Sequence, residues 1–329
     1  MTTSRTRLGA LLLVMALAAP ASAQIPDAPT LLSALGLSQD QIQQITSGQI
    51  VRGAIQAASP RELVAAMAFE VKTPPAQLVS QLKSGAGAKT DPTIQLTGQF
   101  SGGGSVNDLA KLSLSADRAK VYTSASPGET LNLSTQEIAT FDGLAGSDAA
   151  TVTGAVKNQL LARLKAYQQQ GLAGIAPYAR ESGTRSCNDE LRTMAQASKA
   201  LQKYVPAAYQ YLLSYPNSKP AGTEETFRWS QIDAHGTPAL TLTHVAFVPD
   251  GNSYVLLQRM FYVSATFNCE QALAAFMPVQ GGTAVVYGNR TSTDQVEGWG
   301  GSAKRSIGSR LLESQLEDQF QKAQSTLGK

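Results

Sequence analysis

Residues 239–267, ALTLTHVAFVPDGNSYVLLQRMFYVSATF, form two segments of alternating polarity on either side of the tetrapeptide PDGN at 249–252. Alternation with a period of two is typical of β-strands, and Gly, Asn and Asp supply the backbone conformations that a tight hairpin turn needs. Similar segments precede and follow this hairpin. The sequence therefore predicts an antiparallel meander of four strands, at residues 225–232, 239–248, 253–267 and 283–291.

A long amphipathic helix is predicted after the last strand, at about residues 302–324, because apolar side chains recur there every three or four positions. This stripe consists of Ile307, Leu311, Leu312, Leu316 and Phe320. The same helical spacing predicts an inserted helical segment at about residues 151–215. The remaining predicted elements are a helical lead-in at 24–47, two strands within 50–71, a helix from residue 73 and a strand at 93–100.

The predicted fold class is α+β: a curved antiparallel sheet that grips a long C-terminal helix and carries an inserted helical segment. Residues 48–329 are expected to form one domain. Residues 1–23 have the features of a signal peptide, with Arg5 and Arg7 before a short apolar run and small residues at 21–23. We therefore expect cleavage after Ala23 and localisation in the periplasm or the medium, with no transmembrane anchor afterwards, because no later segment has 18 consecutive apolar residues.

Two cysteines, Cys187 and Cys269, are the only ones in the chain. An even number of cysteines in an oxidising compartment predicts a disulfide. The chain-entropy model gives a bridge over such a long loop a stabilisation on the order of 4 kcal/mol, and two separately buried thiols are the alternative. No metal site is predicted, because the cysteines and the two histidines show none of the short paired spacings that zinc sites use.

Charge gives no indication of a nucleic-acid partner. Removing the two arginines of residues 1–23 from the 27 basic side chains leaves 25, against 24 acidic ones. Nucleic-acid binding requires basic residues clustered on one face, and the positive charges here are scattered. Catalysis also finds little support: the chain has no Gly-x-Ser-x-Gly motif, and a lone strand histidine such as His244 is usually a hydrogen-bonded core residue. We expect no cofactor.

An antiparallel sheet followed by a long C-terminal helix resembles the helix-grip fold of START-type and birch-allergen-type lipid-binding domains. The resemblance covers residues 220–326 and is architectural. A second resemblance is to a group of exported bacterial proteins with a passage similar to Asn289-Arg290, Asp294, Gly300-Gly301 and Lys304-Arg305. This chain departs from that passage at residues 291–293, and the second resemblance implies no function.

The helix-grip resemblance implies a cavity between sheet and helix that holds an apolar molecule. Within the hairpin, His244 and Arg259 interrupt otherwise apolar faces, as a group that binds a lipid head would. The alternatives are that Arg259 pairs with a carboxylate of the insertion or that this face points outward. The candidate ligand-binding residues are Trp229, His244, Arg259, Phe261, Tyr287, Arg290 and Arg305.

Arg290, Asp294 and Arg305 are close in the sequence and are expected to meet, most simply as a local ion pair that fixes the turn from strand to helix; the alternative is a second polar site. The predicted function is that of an exported protein that binds a lipid-like or other hydrophobic small molecule without catalysis. The alternative is a structural or protein-interaction component of the bacterial envelope.

Overall fold

The computed structural model describes residues 24–234, 236–298 and 300–327 of the chain, so the predicted signal peptide lies outside the described residues. An antiparallel sheet of eight strands has the order β1-β2-β10-β9-β8-β7-β6-β3, and β4 and β5 form a separate hairpin. The strands are β1 (Val51–Arg52), β2 (Glu62–Val71), β3 (Ile94–Gln99), β4 (Tyr178–Ala179), β5 (Thr184–Arg185), β6 (Glu224–Ala234), β7 (Thr237–Asp250), β8 (Ser253–Val263), β9 (Cys269–Val279) and β10 (Gly282–Ser292).

Eleven α-helices occur within the described residues, and one of these, α11, follows the last strand. They are α1 (Ala28–Ala34), α2 (Gln39–Thr46), α3 (Pro75–Lys83), α4 (Ala86–Thr90), α5 (Ala116–Thr123), α6 (Thr135–Asp142), α7 (Ala149–Gln170), α8 (Cys187–Gln196), α9 (Lys199–Tyr204), α10 (Pro206–Ser214) and α11 (Gly301–Leu327). The predicted α+β class, antiparallel sheet and long C-terminal helix are confirmed. None of the described helices is long and apolar enough to cross a membrane.

The meander has five consecutive strands rather than the predicted four. Strand β9 (Cys269–Val279) was not predicted, because its sequence, CEQALAAFMPV, is rich in Ala and has no strong alternation. It lies in the middle of the sheet between β8 and β10. There the hydrogen bonds of both neighbours hold the segment extended regardless of its weak local preference.

The helical insertion is longer than predicted. The chain leaves the sheet after Gln99 and returns at Glu224, so α5 and α6 belong to the insertion together with the predicted residues 151–215. These two helices have eight residues each. The sequence did not predict these helices, because eight residues show only two turns of apolar periodicity. The serines that cap them, Ser115 and Ser134, are also common in loops.

The sheet buries both of its faces. The face that we call the insertion face shares one continuous core with helices α5 to α10 and includes Leu242 and Ala246 of β7. The opposite face, which we call the C-terminal face, packs on α3 and α11 and includes Val245 and Phe247 of the same strand. Because successive strand residues point to opposite faces, a central strand such as β7 contributes to two separate cores.

Helices other than the expected one cover the predicted ligand-binding residues His244 and Arg259. The apolar positions around His244 and Arg259 were expected to lie beneath the C-terminal helix, but they belong to the insertion face. Helix α11 instead packs along β2 on the C-terminal face, through Leu316 and Phe320 against Met67 and Tyr287. The predicted apolar stripe of α11 is buried only in part, since Ile307 and Leu311 are 61% and 57% exposed.

Candidate functional site

His244 and Arg259 lie directly opposite each other on β7 and β8. Both are buried, with exposures of 6% and 2%. Phe261, two residues beyond Arg259, shares the insertion face. The structure therefore brings three of the seven predicted ligand-binding residues together at the centre of the sheet.

Helix α7 inserts Tyr167 into this group. The Tyr167 ring stacks on Phe261 with 4.0 Å between ring centroids, and on Tyr215 with 5.0 Å. Gly171, the residue after α7, permits this approach: a Cβ there would lie 1.8 Å from the carbonyl oxygen of Tyr215, and its φ of +59° also favours glycine. The end of α7 and the end of α10 are thus held together over the sheet.

A chain of polar contacts runs from the surface to Arg259. Glu225 Oε2 lies 3.0 Å from His244 Nε2, and His244 Nδ1 lies 3.2 Å from the Tyr167 hydroxyl. Arg259 Nη1 donates to the same hydroxyl oxygen at 3.4 Å. One set of proton positions satisfies every contact: neutral His244 donates to Glu225, and Tyr167 donates to His244 while it accepts from Arg259.

The electrostatics agree with a neutral His244. Burial lowers the pKa of His244, although Glu225 acts in the opposite direction. The hydrogen bond from His244, together with those from Lys219 and Tyr211, lowers the pKa of Glu225 to about 2. Burial and the neighbouring Glu225 carboxylate raise the pKa of Tyr211, so that this phenol remains protonated.

Little space remains beside these residues. The void lined by Arg259, His244 and the three tyrosines 167, 211 and 215 offers about 10 Å³ to the centre of a water molecule. A volume of that order is close to the minimum that one water requires. A lipid chain does not fit on the insertion face at this point, because the insertion helices fill it.

The other four predicted ligand-binding residues lie elsewhere. Trp229 is buried on β6, where its Nε1 donates to the carbonyl of Asp108 at 2.9 Å. Tyr287 lies on the C-terminal face against Phe320. Arg290 pairs with Glu62, and Arg305 donates to the carbonyl of Pro60.

The predicted meeting of Arg290, Asp294 and Arg305 is wrong. Asp294 pairs instead with Arg180 at 2.9 Å and with Arg185 at 2.7 Å, both from the hairpin formed by β4 and β5. Local sequence spacing gave no indication of these partners, because they come from the insertion. The surrounding arginines and carboxylates form an ion-pair network at this end of the sheet.

A larger opening, which we call the α5 cleft, lies between α5 and the start of β7. Its volume is about 340 Å³. It is lined by Ser113, Leu114, Ser115, Arg118, Tyr122, Gln231, Pro238, Ala239 and Leu240. Arg118 bridges the two walls, since its Nη2 donates to the carbonyl of Pro238 at 3.0 Å. The sequence did not indicate this cleft, because the residues of its two walls are far apart in the chain. Nothing in the local sequence distinguishes Arg118 from an ordinary exposed residue of a helix.

Comparison of the chain with protein-family models and with curated protein sequences found no match.

Cys187 and Cys269 are both fully buried and lie side by side with Glu190. One ligand atom from each of the three residues lies within 4.8 Å of the other two. Both cysteines are free thiols in the structure, so the predicted disulfide is not formed in it. Cys187 donates to the carbonyl of Asn268, and Cys269 donates to Glu190. The sequence also gave no indication of this three-residue group, whose side chains are types that bind metal ions.

Because the two sulfurs lie close together, we still predict that they form a disulfide when the protein is exposed to an oxidising compartment. There the two thiols would pass two electrons and two protons to the disulfide of an oxidoreductase. We expect the denatured, unreduced protein to show no free thiol and an intact mass lower by two hydrogen atoms. Cys187→Ser should lower the free energy of unfolding by about 2–4 kcal/mol. Two titratable thiols in the wild type would contradict the bond, and a metal assay on the same sample would show whether the three residues hold an ion instead.

We expect acid to destabilise the protein in two stages. Burial lowers the pKa of His244, so the unfolded chain binds its proton more readily and stability falls as the pH drops below the ordinary value of 6.5. Glu225, with its pKa lowered to about 2, stabilises the fold above its ordinary value of 4.5, and this contribution is lost as the pH falls from 4.5 towards 2. Urea unfolding at a series of pH values measures both stages.

Glu225→Gln tests whether Glu225 causes the stage below pH 4.5, and Glu224→Gln is its matched control. Glu224 is the adjacent, 65% exposed side chain, and Lys83 is its one ion-pair partner among the residues that the structure describes. Glu225→Gln should lower the free energy of unfolding at neutral pH by about 1–2 kcal/mol, a range that allows for solvent screening, and should flatten the stage below pH 4.5. Glu224→Gln should leave that stage unchanged. Equal pH profiles for the two variants would refute the assignment of the stage below pH 4.5 to Glu225.

Proposed function

We propose that the protein is an exported, non-catalytic binding protein whose ligand is a small amphipathic molecule with an apolar body and an anionic group. The α5 cleft carries this proposal. Its volume of about 340 Å³ falls within the range of small-molecule sites. The proposal keeps the hydrophobic ligand that the helix-grip resemblance implies and moves it from beneath α11 to the insertion side of the sheet.

The lining of the cleft combines apolar walls with one positive charge. Leu114, Pro238 and Leu240 offer apolar surface to the body of a ligand. Arg118 is the one charged residue of the lining and forms no ion pair within the described part of the chain. A guanidinium whose remaining N–H groups are unpaired binds a carboxylate or phosphate through charge-assisted hydrogen bonds. These features favour an anionic amphipath over a neutral one.

The cleft is built on regular elements. Arg118 and Tyr122 stand one turn apart on α5, whose N-terminus is capped by Ser115. On the other wall, the backbone N–H of Leu240 donates to Ser264 at 2.8 Å. Rigid walls reduce the entropy lost when a ligand binds, so the cleft needs little rearrangement.

The proposal predicts that octanoate binds and raises the melting temperature, whereas octanol binds about tenfold more weakly, because it lacks the charge that Arg118 recognises. Arg118→Gln should remove the preference for octanoate, and Ser113→Trp should block both probes by filling the mouth of the cleft. Arg192→Gln, which changes an exposed arginine of α8, is the matched control and should bind as the wild type does. Titration calorimetry measures all four proteins.

Equal affinity for octanoate and octanol would contradict the role of Arg118. Absence of binding by either probe, together with no apolar molecule in an organic extract of the purified protein, would contradict the binding function.

An envelope protein-interaction function is the second candidate, and one observation favours it. Ile307 and Leu311, one helical turn apart on α11, are the most exposed large apolar side chains among the described residues. Exposed apolar side chains that adjoin are typical of contact surfaces. This surface lies on the C-terminal face, away from the α5 cleft, so the two functions are compatible.

A further inference from the structure

Within the described part of the chain, Arg259 is a buried cation that pairs with no carboxylate. Its side chain is 2% exposed. Its hydrogen-bond acceptors are all uncharged: the Tyr167 hydroxyl, the carbonyl of Leu212 at 2.8 Å and the side-chain oxygen of Gln271 at 3.2 Å. A buried guanidinium is costly unless an opposite charge compensates it.

Two donors in the same place have no acceptor. Arg259 Nε and Gln271 Nε2 are both buried and make no hydrogen bond to any described residue. Buried N–H groups without acceptors are rare in folded proteins, because each loses its hydrogen bond to water and gains nothing in return. Both donors therefore indicate an acceptor that is not part of the chain.

The acid that hydrogen bonds link to Arg259, Glu225, does not pair with it directly. Glu225 is separated from it by His244 and Tyr167. The Glu225 carboxylate is also paired with Lys219, whose Nζ lies 2.8 Å from Oε1. With His244 neutral, Arg259, Lys219 and Glu225 leave one positive charge in excess.

We propose that the void beside Arg259 binds a monovalent anion of the size of chloride. The void is lined by Arg259 and by residues of α7, α10, β7 and β8, and it has room for about one water, so a chloride ion, which is somewhat larger, requires a small outward displacement of the tyrosine side chains. An anion there neutralises the guanidinium and accepts from its free donor, whereas a water leaves the charge uncompensated. This site shares no residue with the α5 cleft, so it is independent of the proposed ligand.

The first test is thermal unfolding in chloride, bromide and gluconate at constant ionic strength. We expect chloride and bromide to raise the melting temperature in a saturable manner, and gluconate, which is too large for the void, to have no effect. Gln271→Glu places a carboxylate at the position from which the Gln271 side-chain oxygen accepts from Arg259, so it should neutralise the guanidinium and abolish the chloride response. Gln169→Glu, at an exposed position of α7, is the matched control and should retain the wild-type response.

The second test uses the wild type alone, so it does not depend on a variant that folds. A crystal grown with bromide in place of chloride should show an anomalous peak within hydrogen-bonding distance of the Arg259 guanidinium. A water in that position without anomalous signal, or melting temperatures that are equal in chloride and gluconate, would overturn the proposal.

Discussion

The stacking of Tyr167 on Phe261 joins the insertion to the sheet, and the interior of the molecule is arranged around it. Phe261 is fixed by its strand, and Tyr167 is fixed by a helix of 22 residues, so the contact sets the height of α7 above the sheet. Tyr215 continues the stack from the end of α10. Aromatic pairs of this kind contribute about 0.5–1.5 kcal/mol beyond the burial of their surface. The same contact fills the insertion face beside His244 and Arg259.

A polar chain accompanies the aromatic stack and restricts what the interior can do. The hydroxyl of Tyr167 joins Arg259 to His244, and His244 joins the interior to Glu225 near the surface. Each member depends on its neighbours, because a missing partner leaves a buried polar group unsatisfied. Such a chain favours one arrangement of α7 and α10 over alternatives with similar apolar contacts. Ligand binding is accordingly proposed at the edge of the insertion, where the α5 cleft remains open.

Local signals in the sequence predicted the elements they control. The turn at residues 249–252 specified the hairpin of β7 and β8, and the apolar period of residues 302–324 specified α11. Strand β9 was not predicted, because its pairing with β8 and β10, rather than its alanine-rich sequence, keeps it extended. The alternation that singled out His244, Arg259 and Phe261 placed them correctly on one face. It contained no information about which helices cover that face, because both α11 and α7 carry apolar stripes. The partners of Asp294 and the walls of the α5 cleft were missed for a related reason, since they come from distant parts of the chain.

A double-mutant cycle measures whether the stacking of Tyr167 on Phe261 fixes the insertion on the sheet. The free energy of unfolding is measured for the wild type, Tyr167→Leu, Phe261→Leu and their double variant. Tyr167 and Phe320, which lie on opposite faces of the sheet, are the control pair, for which Phe320→Leu and its double variant with Tyr167→Leu are added. We expect a coupling of about 1 kcal/mol for Tyr167 with Phe261 and additivity within about 0.5 kcal/mol for the control pair. Additive effects for Tyr167 and Phe261 would show that the stack does not hold the insertion in place.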